Sequence, residues 1–124
     1  MRQRVFSGMQ PTGVVHLGNL MGALTNWARM QDDHDCIYCV VDLHAITAPF
    51  EPEQMRAART DLAKAIMAVG VDPDRSLLYR QADVPEHVEL MWLLGVDATM
   101  GPLGRMTQYK EKSDKSGERF GLFA

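Results

Sequence analysis

The chain is organised around residues 7–19, which read Ser-Gly-Met-Gln-Pro-Thr-Gly-Val-Val-His-Leu-Gly-Asn. A short apolar segment precedes this stretch, Gly and Pro residues interrupt it, and an amphipathic run follows it, so the order predicts a strand, a tight loop and the start of a helix. Because the first turn of a helix carries unpaired N–H groups and the positive end of the helix dipole, such a loop is suited to hold a phosphate. Gly18 would let a nucleotide lie directly on the backbone, and His16 and Asn19 offer hydrogen-bond donors.

The periodicity of the remaining sequence predicts an α/β fold. Residues 36–41 and 76–79 are short apolar runs typical of covered strands, and an apolar stripe at helical spacing runs from Pro52 to Gly70 between them. The resulting order of strand, helix, strand, helix and strand predicts a parallel sheet with right-handed crossovers. A third helix is expected to open at residues 85–87, with His87 facing solvent, and residues 101–104 are expected to break the chain.

The stretch at residues 7–19 resembles the signature of class I aminoacyl-tRNA synthetases, in the form used by tryptophanyl-tRNA synthetases. That family ends the signature in His-Ile-Gly-His or a variant, and the ending at Asn19 is one such variant. Two further strings agree with the family in the same order: Val-Asp-Leu-His-Ala-Ile-Thr at residues 41–47, and Arg-Met-Thr-Gln-Tyr-Lys-Glu-Lys-Ser at residues 105–113. Three strings in the order of the family argue against a chance resemblance.

The resemblance implies a Rossmann-like parallel sheet with flanking helices, the incomplete HUP-type catalytic domain of a class I synthetase. Residues 1–124 would form the N-terminal portion of that domain, and residues from about 85 to 124 an insertion or dimerisation region. The second signature of the family, a Lys-Met-Ser-Lys-Ser loop, does not occur in these residues. We therefore expect the 124 residues alone to be inactive or weakly active.

The resemblance also implies which residues form the site. The catalytic residues would be His16, Asn19 and Lys112. The residues that bind ATP would be Gln10, Pro11, Thr12, His16, Gly18, Asn19 and Lys112, and those that bind tryptophan would be Phe6, Gly8, Gln10 and His44.

Two of these side chains have a second interpretation. His44 either caps a loop or faces the pocket, and its position after a strand favours the pocket because the carboxyl ends of parallel strands converge on a crevice. Lys112 either lies on a solvated helix face or reaches the phosphates of ATP.

The implied function is a tryptophan–tRNA ligase that uses ATP and Mg²⁺, L-tryptophan and tRNA(Trp), as a cytoplasmic homodimer. An almost wholly apolar segment at residues 88–94 supports the dimer, since such a helix must be covered on more than one side. Alternatives are a synthetase-like nucleotide-binding or partner-binding module without ligase activity, a tyrosine-specific relative, and a small nucleotidylyltransferase. The run at residues 10–13 favours tryptophan over tyrosine within the family.

The composition argues against several other classes of protein. Hydrophobic residues make up 46% of the chain and the formal net charge is -3, so neither a disordered chain nor a generally basic nucleic-acid binder is expected. Positive charge is concentrated in residues 105–119, which carry five Lys and Arg against three Asp and Glu. No apolar run reaches the roughly 20 residues that cross a bilayer. Cys36 and Cys39 lie on a predicted strand without a second ligand pair, so no metal or redox role is expected.

Overall fold

A three-stranded parallel sheet forms the centre of the computed structural model, which describes residues 2–107, 109 and 110. The strands are β1 (Arg4–Met9), β2 (Asp35–Val40) and β3 (Leu77–Arg80), in the order β1-β2-β3. Gly8 pairs with Cys39, and Cys39 pairs with Tyr79, so the three strands end at one edge of the sheet. The predicted parallel α/β architecture is confirmed.

Helices connect and flank the strands. They are α1 (Leu17–Asn19), a π-helical segment (Leu20–Leu24), α2 (Thr25–Met30), α3 (Asp42–Ala45), α4 (Pro52–Ala68), a 3₁₀ turn (Gln81–Asp83), α5 (Glu86–Asp97) and α6 (Met100–Gly104). Pro52 begins α4, at a position where a backbone N–H would have no partner within the helix. Gly70 follows the helix with a φ of 104°, which glycine adopts readily. The expected break at residues 101–104 is wrong, because Pro102 lies in the first turn of α6, where proline is tolerated.

The helical run after the signature contains a wider turn than the sequence predicts. Leu20–Leu24 is π-helical, and the Thr25 hydroxyl donates to the carbonyl of Leu20 at 2.7 Å. Short π segments inside α-helices occur often at functional sites. The π segment directly follows α1 and therefore lies beside the loop that precedes α1.

The core packs α2 and α4 against the central strand. Trp27 stacks on Tyr38 with ring centroids 4.5 Å apart, and the Tyr38 hydroxyl donates to the Trp27 carbonyl at 2.7 Å. Burial, followed by the neighbouring Cys36 thiol, raises the pKa of Tyr38. The buried cluster comprises Leu24, Trp27, Cys36, Tyr38, Val40, Leu62, Ile66 and Val71.

A buried amide joins the end of the first helical run to the approach to β3. Gln31 is 1% exposed, and its NH₂ group donates to the carbonyls of Ala28 and Gly70 at 2.9 Å. Its oxygen accepts from the Asp72 N–H at 2.7 Å and from the Ser76 hydroxyl at 2.9 Å. All four bonding positions of the amide are used, so Gln31 fixes the loop that leads into β3.

Helix α5 contrasts with the core because it contains no buried residue. Trp92, Leu93, Leu94 and Val96 are each about two thirds exposed or more. Within residues 2–107, 109 and 110, no helix has the length and hydropathy needed to cross a membrane.

Candidate functional site

A small polar pocket of about 100 Å³ lies between the end of β1 and the start of α1. Five of the predicted ATP-binding residues line this pocket: Gln10, Pro11, Thr12, His16 and Asn19. Gly18 is not among the lining residues. The loop at residues 10–16 therefore brings together most of the side chains that the sequence assigned to the nucleotide.

His16 caps the helix that follows the loop. Its Nδ1 accepts from the Gly18 N–H at 3.1 Å, and its own N–H donates to the Asn19 Oδ1 at 3.1 Å. The Asn19 N–H is also bonded, to the His16 carbonyl at 3.0 Å. The expectation that this first turn presents unpaired N–H groups is therefore wrong for Gly18 and Asn19.

The cap determines which groups remain available to a ligand. Because Nδ1 of His16 accepts a hydrogen bond, the proton of the neutral ring lies on Nε2, which is then a donor. Asn19 uses its oxygen in the cap, so its NH₂ group is the remaining donor. The polar pocket thus offers side-chain donors rather than helix N–H groups.

Gly18 has a structural reason for lacking a side chain. A Cβ at this position would lie 3.0 Å from Cε1 and 3.1 Å from Nδ1 of His16. The space beside the Gly18 backbone is therefore occupied in part by the His16 ring, which the sequence did not predict.

A second cavity, of about 840 Å³, opens at the carboxyl edge of the sheet. Three of the four residues predicted to bind tryptophan line it, namely Phe6, Gly8 and His44, whereas Gln10 lines the polar pocket. The other lining residues are Cys39, Val41, Tyr79, Gln81, His87, Leu90, Met91, Trp92, Leu94, Gly95, Val96, Ala98, Met100 and Leu103. The cavity is thus mainly apolar, with a few polar side chains near the strand ends.

Close packing at the strand ends requires Gly8. A Cβ on Gly8 would lie 2.8 Å from Cγ1 of Val41 and 3.3 Å from the carbonyl oxygen of Cys39. The first distance is shorter than any normal carbon contact, so a larger residue would displace Val41 from the cavity wall.

His44 lies in α3 and contacts a residue that the sequence did not single out. Its Nδ1 lies 3.0 Å from Oε1 of Gln81, in the 3₁₀ turn that follows β3. Both side chains line the large cavity. The structure therefore places His44 at the pocket, as the sequence favoured, and adds Gln81 beside it.

Asp42 is a buried carboxylate that joins the ends of β2 and β3. It is 3% exposed; its Oδ1 accepts from the Ala82 N–H at 3.1 Å, and its Oδ2 lies 3.2 Å from Nη1 of Arg59. Nε of Arg80 lies 3.8 Å from the same oxygen. Asp42 thus bonds to the backbone on one side of Gln81, at Ala82, and lies close to the Arg80 side chain on the other.

His87 does not face solvent, contrary to the sequence-based expectation. Its Nε2 lies 3.5 Å from the Tyr79 hydroxyl, its Nδ1 is buried without a partner among the described residues, and its ring is among those that line the large cavity. Burial, followed by the nearby Cys39 thiol, raises the pKa of Tyr79 to about 12. Burial likewise raises the pKa of Cys39. The prediction failed because His87, at the start of α5, contacts Tyr79 of β3, and the periodicity of α5 does not reveal this contact.

Lys112, predicted to reach the ATP phosphates, lies outside the described residues, as do most residues of the basic segment. Among residues 2–107, 109 and 110, no group of three or more His, Cys, Asp or Glu side chains could hold a metal ion.

A parallel sheet with a polar loop pocket and a larger apolar cavity at its carboxyl edge defines an α/β protein of the Rossmann-like class, in which ligands bind outside the carboxyl ends of the strands. A family model described as tRNA synthetases class I (W and Y) matches residues 1–124, and the chain belongs to this family.

Similar proteins agree with this assignment. The chain is 46% identical to the tryptophan–tRNA ligase of Helicobacter pylori, over 98% of this chain and 38% of that protein. It is 47% identical to the tryptophan–tRNA ligase of Agrobacterium fabrum, over 95% of this chain and 33% of that protein. The crystal structure of the Campylobacter jejuni tryptophanyl-tRNA synthetase with ADP and tryptophan superimposes with a TM-score of 0.90 at 33% identity, over 98% of this chain and 38% of that chain. The chain thus spans between a third and two fifths of these relatives.

Proposed function

We propose that residues 1–124 form the N-terminal portion of the catalytic domain of a tryptophan–tRNA ligase. The observation that carries this proposal is the pairing of two pockets at one sheet edge in a chain of this family. The polar pocket suits the phosphates of ATP, and the large apolar cavity suits an aromatic amino acid. The tryptophan–tRNA ligases at 46% and 47% identity support tryptophan rather than tyrosine.

The proposed reaction joins the two pockets. The carboxylate of tryptophan attacks the α-phosphorus of ATP and pyrophosphate leaves, which gives tryptophanyl-adenylate. A hydroxyl of the 3′-terminal ribose of tRNA(Trp) then attacks the carbonyl carbon of the adenylate, and AMP leaves. Because phosphoryl transfer depends mainly on positioning and on neutralising charge, no side chain of the protein needs to act as a nucleophile.

The residues of the signature take the following roles in the proposal. Gln10, Thr12 and the donors of His16 and Asn19 hold the phosphates at the polar pocket. The Nε2–H of His16 stabilises negative charge that develops as pyrophosphate leaves, and such a donor acts most strongly in the transition state. Gly18 provides the room that keeps the His16 ring in this orientation.

Phe6, Gly8 and His44 would bound the amino acid in the large cavity. Mg²⁺ would accompany ATP, although the described residues supply no cluster of ligands for it. That Lys112 reaches the phosphates of ATP stays a prediction, and so does the location in the cytoplasm.

We further propose that the region from about residue 85 to 124 contributes to a homodimer. The exposed apolar side chains of α5, including Trp92 and Leu93, support this proposal because apolar surface of this extent is usually covered by another protein surface. Light scattering at micromolar concentration should give twice the mass of one chain, and a folded monomer would contradict the proposal.

A hybrid enzyme provides the direct test of activity. We expect a hybrid in which this chain replaces its matching segment of the Helicobacter pylori ligase to catalyse tryptophan-dependent exchange of pyrophosphate into ATP. The His16→Ala hybrid serves as the control with lowered activity. A folded hybrid that exchanges pyrophosphate only with tyrosine would indicate a tyrosine-specific relative, and one that binds ATP but never exchanges would indicate a binding module.

A further inference from the structure

The large cavity offers two pairs of polar side chains at the strand ends. One pair is Tyr79 and His87, whose polar atoms lie 3.5 Å from each other. The other pair is His44 and Gln81, which come from α3 and from the 3₁₀ turn. In an apolar cavity, each polar atom that faces the ligand has a large effect on selectivity, because it is left unpaired by the wrong ligand.

One buried carboxylate contacts both sequence neighbours of Gln81, the backbone of Ala82 and the side chain of Arg80. Asp42 accepts from the N–H of Ala82, the residue after Gln81, and its other oxygen lies 3.8 Å from the guanidinium of Arg80, the residue before Gln81. Arg59 completes the surroundings of the carboxylate from α4. Gln81 therefore projects from a turn whose backbone is bonded to Asp42 at Ala82, and neither of these two residues lines the cavity.

The same carboxylate belongs to the helix that carries His44. Asp42 and His44 lie two residues apart in α3, and Asp42 bonds to the 3₁₀ turn that carries Gln81. His44 bonds to Gln81 itself, so α3 and the turn are joined by two contacts that form a closed ring. A side chain held in a closed ring of contacts loses little further freedom when a ligand binds.

The orientation of Gln81 determines the hydrogen-bonding state of His44. Oε1 of Gln81, an acceptor, lies 3.0 Å from Nδ1 of His44, so Nδ1 carries the proton of the neutral ring. Nε2 of His44 is then an acceptor, and no partner for it occurs among the described residues. The cavity would thereby gain one hydrogen-bond acceptor suited to a ligand N–H group.

We propose that Gln81, anchored through Asp42, is a positioning residue that holds the His44 imidazole with its proton on Nδ1 and presents Nε2 as a hydrogen-bond acceptor to the ligand of the large cavity. The identity of that ligand as tryptophan, which offers an indole N–H and an ammonium group, rests on the proposed function. The position of the proton on the His44 ring does not depend on that function.

The test is a nitrogen-15 NMR measurement of the ring nitrogens of His44 in the full chain at about pH 9, well above the ordinary histidine pKa. Protonated and unprotonated ring nitrogens have well-separated shifts, and a His44→Gln spectrum assigns the signal. We expect Nδ1 protonation in the native chain, loss of that preference in Gln81→Met, and its retention in Gln81→Glu, whose carboxylate also accepts from Nδ1. Gln54→Met, an exposed glutamine of α4, is the matched control and should leave the signal unchanged.

A native ring protonated on Nε2, or a ring unaffected by Gln81→Met in a folded chain, would overturn the proposal. A titration with L-tryptophan then tests the ligand separately, and Gln81→Met should raise the dissociation constant about threefold to tenfold, as for loss of one hydrogen bond. If the native chain shows the expected tautomer but no tryptophan binding, the positioning role stands and the proposed function fails. If tryptophan binds equally well to Gln81→Met despite a changed tautomer, the role of Gln81 in ligand recognition is refuted.

Discussion

Replacing Asp42 with alanine should destabilise the chain far more than replacing an exposed aspartate. Asp42 is 3% exposed and accepts from one backbone N–H and from Arg59, with Arg80 close by. Removing one partner of a fully buried ion pair typically costs about 3–5 kcal/mol. The side chains of Arg59 and Arg80 are 27% and 41% exposed, so both can regain water in the variant, and we expect a smaller loss of about 2–3 kcal/mol.

Urea denaturation followed by circular dichroism measures this loss. With a slope of about 1–3 kcal/mol per molar urea, the midpoint of Asp42→Ala should fall by roughly 0.7–3 M. The matched control is Asp61→Ala, whose partner Lys64 lies on the same exposed face of α4, and which should cost about 0.5 kcal/mol or less. Equal midpoints for the two variants would refute the interpretation of Asp42 as the anchor between the strand ends.

Three further predictions concern the signature loop and the cavity. Gly18→Val should weaken ATP binding by more than about tenfold, because its side chain would displace the His16 ring. Gly22→Val, at a glycine with open space around it, should leave ATP binding unchanged, and equal affinities of the two variants in calorimetry would contradict the role of Gly18. In the hybrid ligase, His16→Ala should lower the adenylation rate about 10²-fold and change the ATP dissociation constant only a few-fold, and equal losses would show that His16 acts in the ground state. Because the pKa of Tyr79 is raised from 10.0 to about 12, its contribution to stability is fully present below pH 10 and is lost as the pH rises towards 12. Between pH 10 and 12, the unfolding free energy of Tyr79→Phe should therefore fall less steeply than that of the native chain. Identical pH profiles would contradict the burial of Tyr79.

The sequence was sufficient to predict the parts of the site that are local in the chain. Gln10, Thr12, His16 and Asn19 lie within ten residues of one another, and the loop between β1 and α1 brings them to one pocket. Turn residues and helix periodicity act over such short distances, so their signals are visible without a structure.

Contacts between distant parts of the chain were not predictable in the same way. Gln81 meets His44 across 37 positions, and Gln31 meets Ser76 across 45. A single glutamine carries no periodic signal for its partner, so neither residue stood out in the sequence. His87 was misassigned for the same reason, since only the path of α5 over Tyr79 shows that its ring is partly buried.

We propose that the polar pocket binds a nucleotide and that the large cavity beside it binds tryptophan. Amide chemical-shift mapping of the isotope-labelled chain, titrated separately with ATP and with L-tryptophan, tests this claim most directly. We predict that ATP shifts the amides of Gln10 and of residues 12–19, and that L-tryptophan shifts those of Phe6, Gly8, His44 and Gln81, with little overlap between the two sets. Shifts from both ligands at one pocket only, or tryptophan-induced shifts confined to residues outside the large cavity, would contradict it.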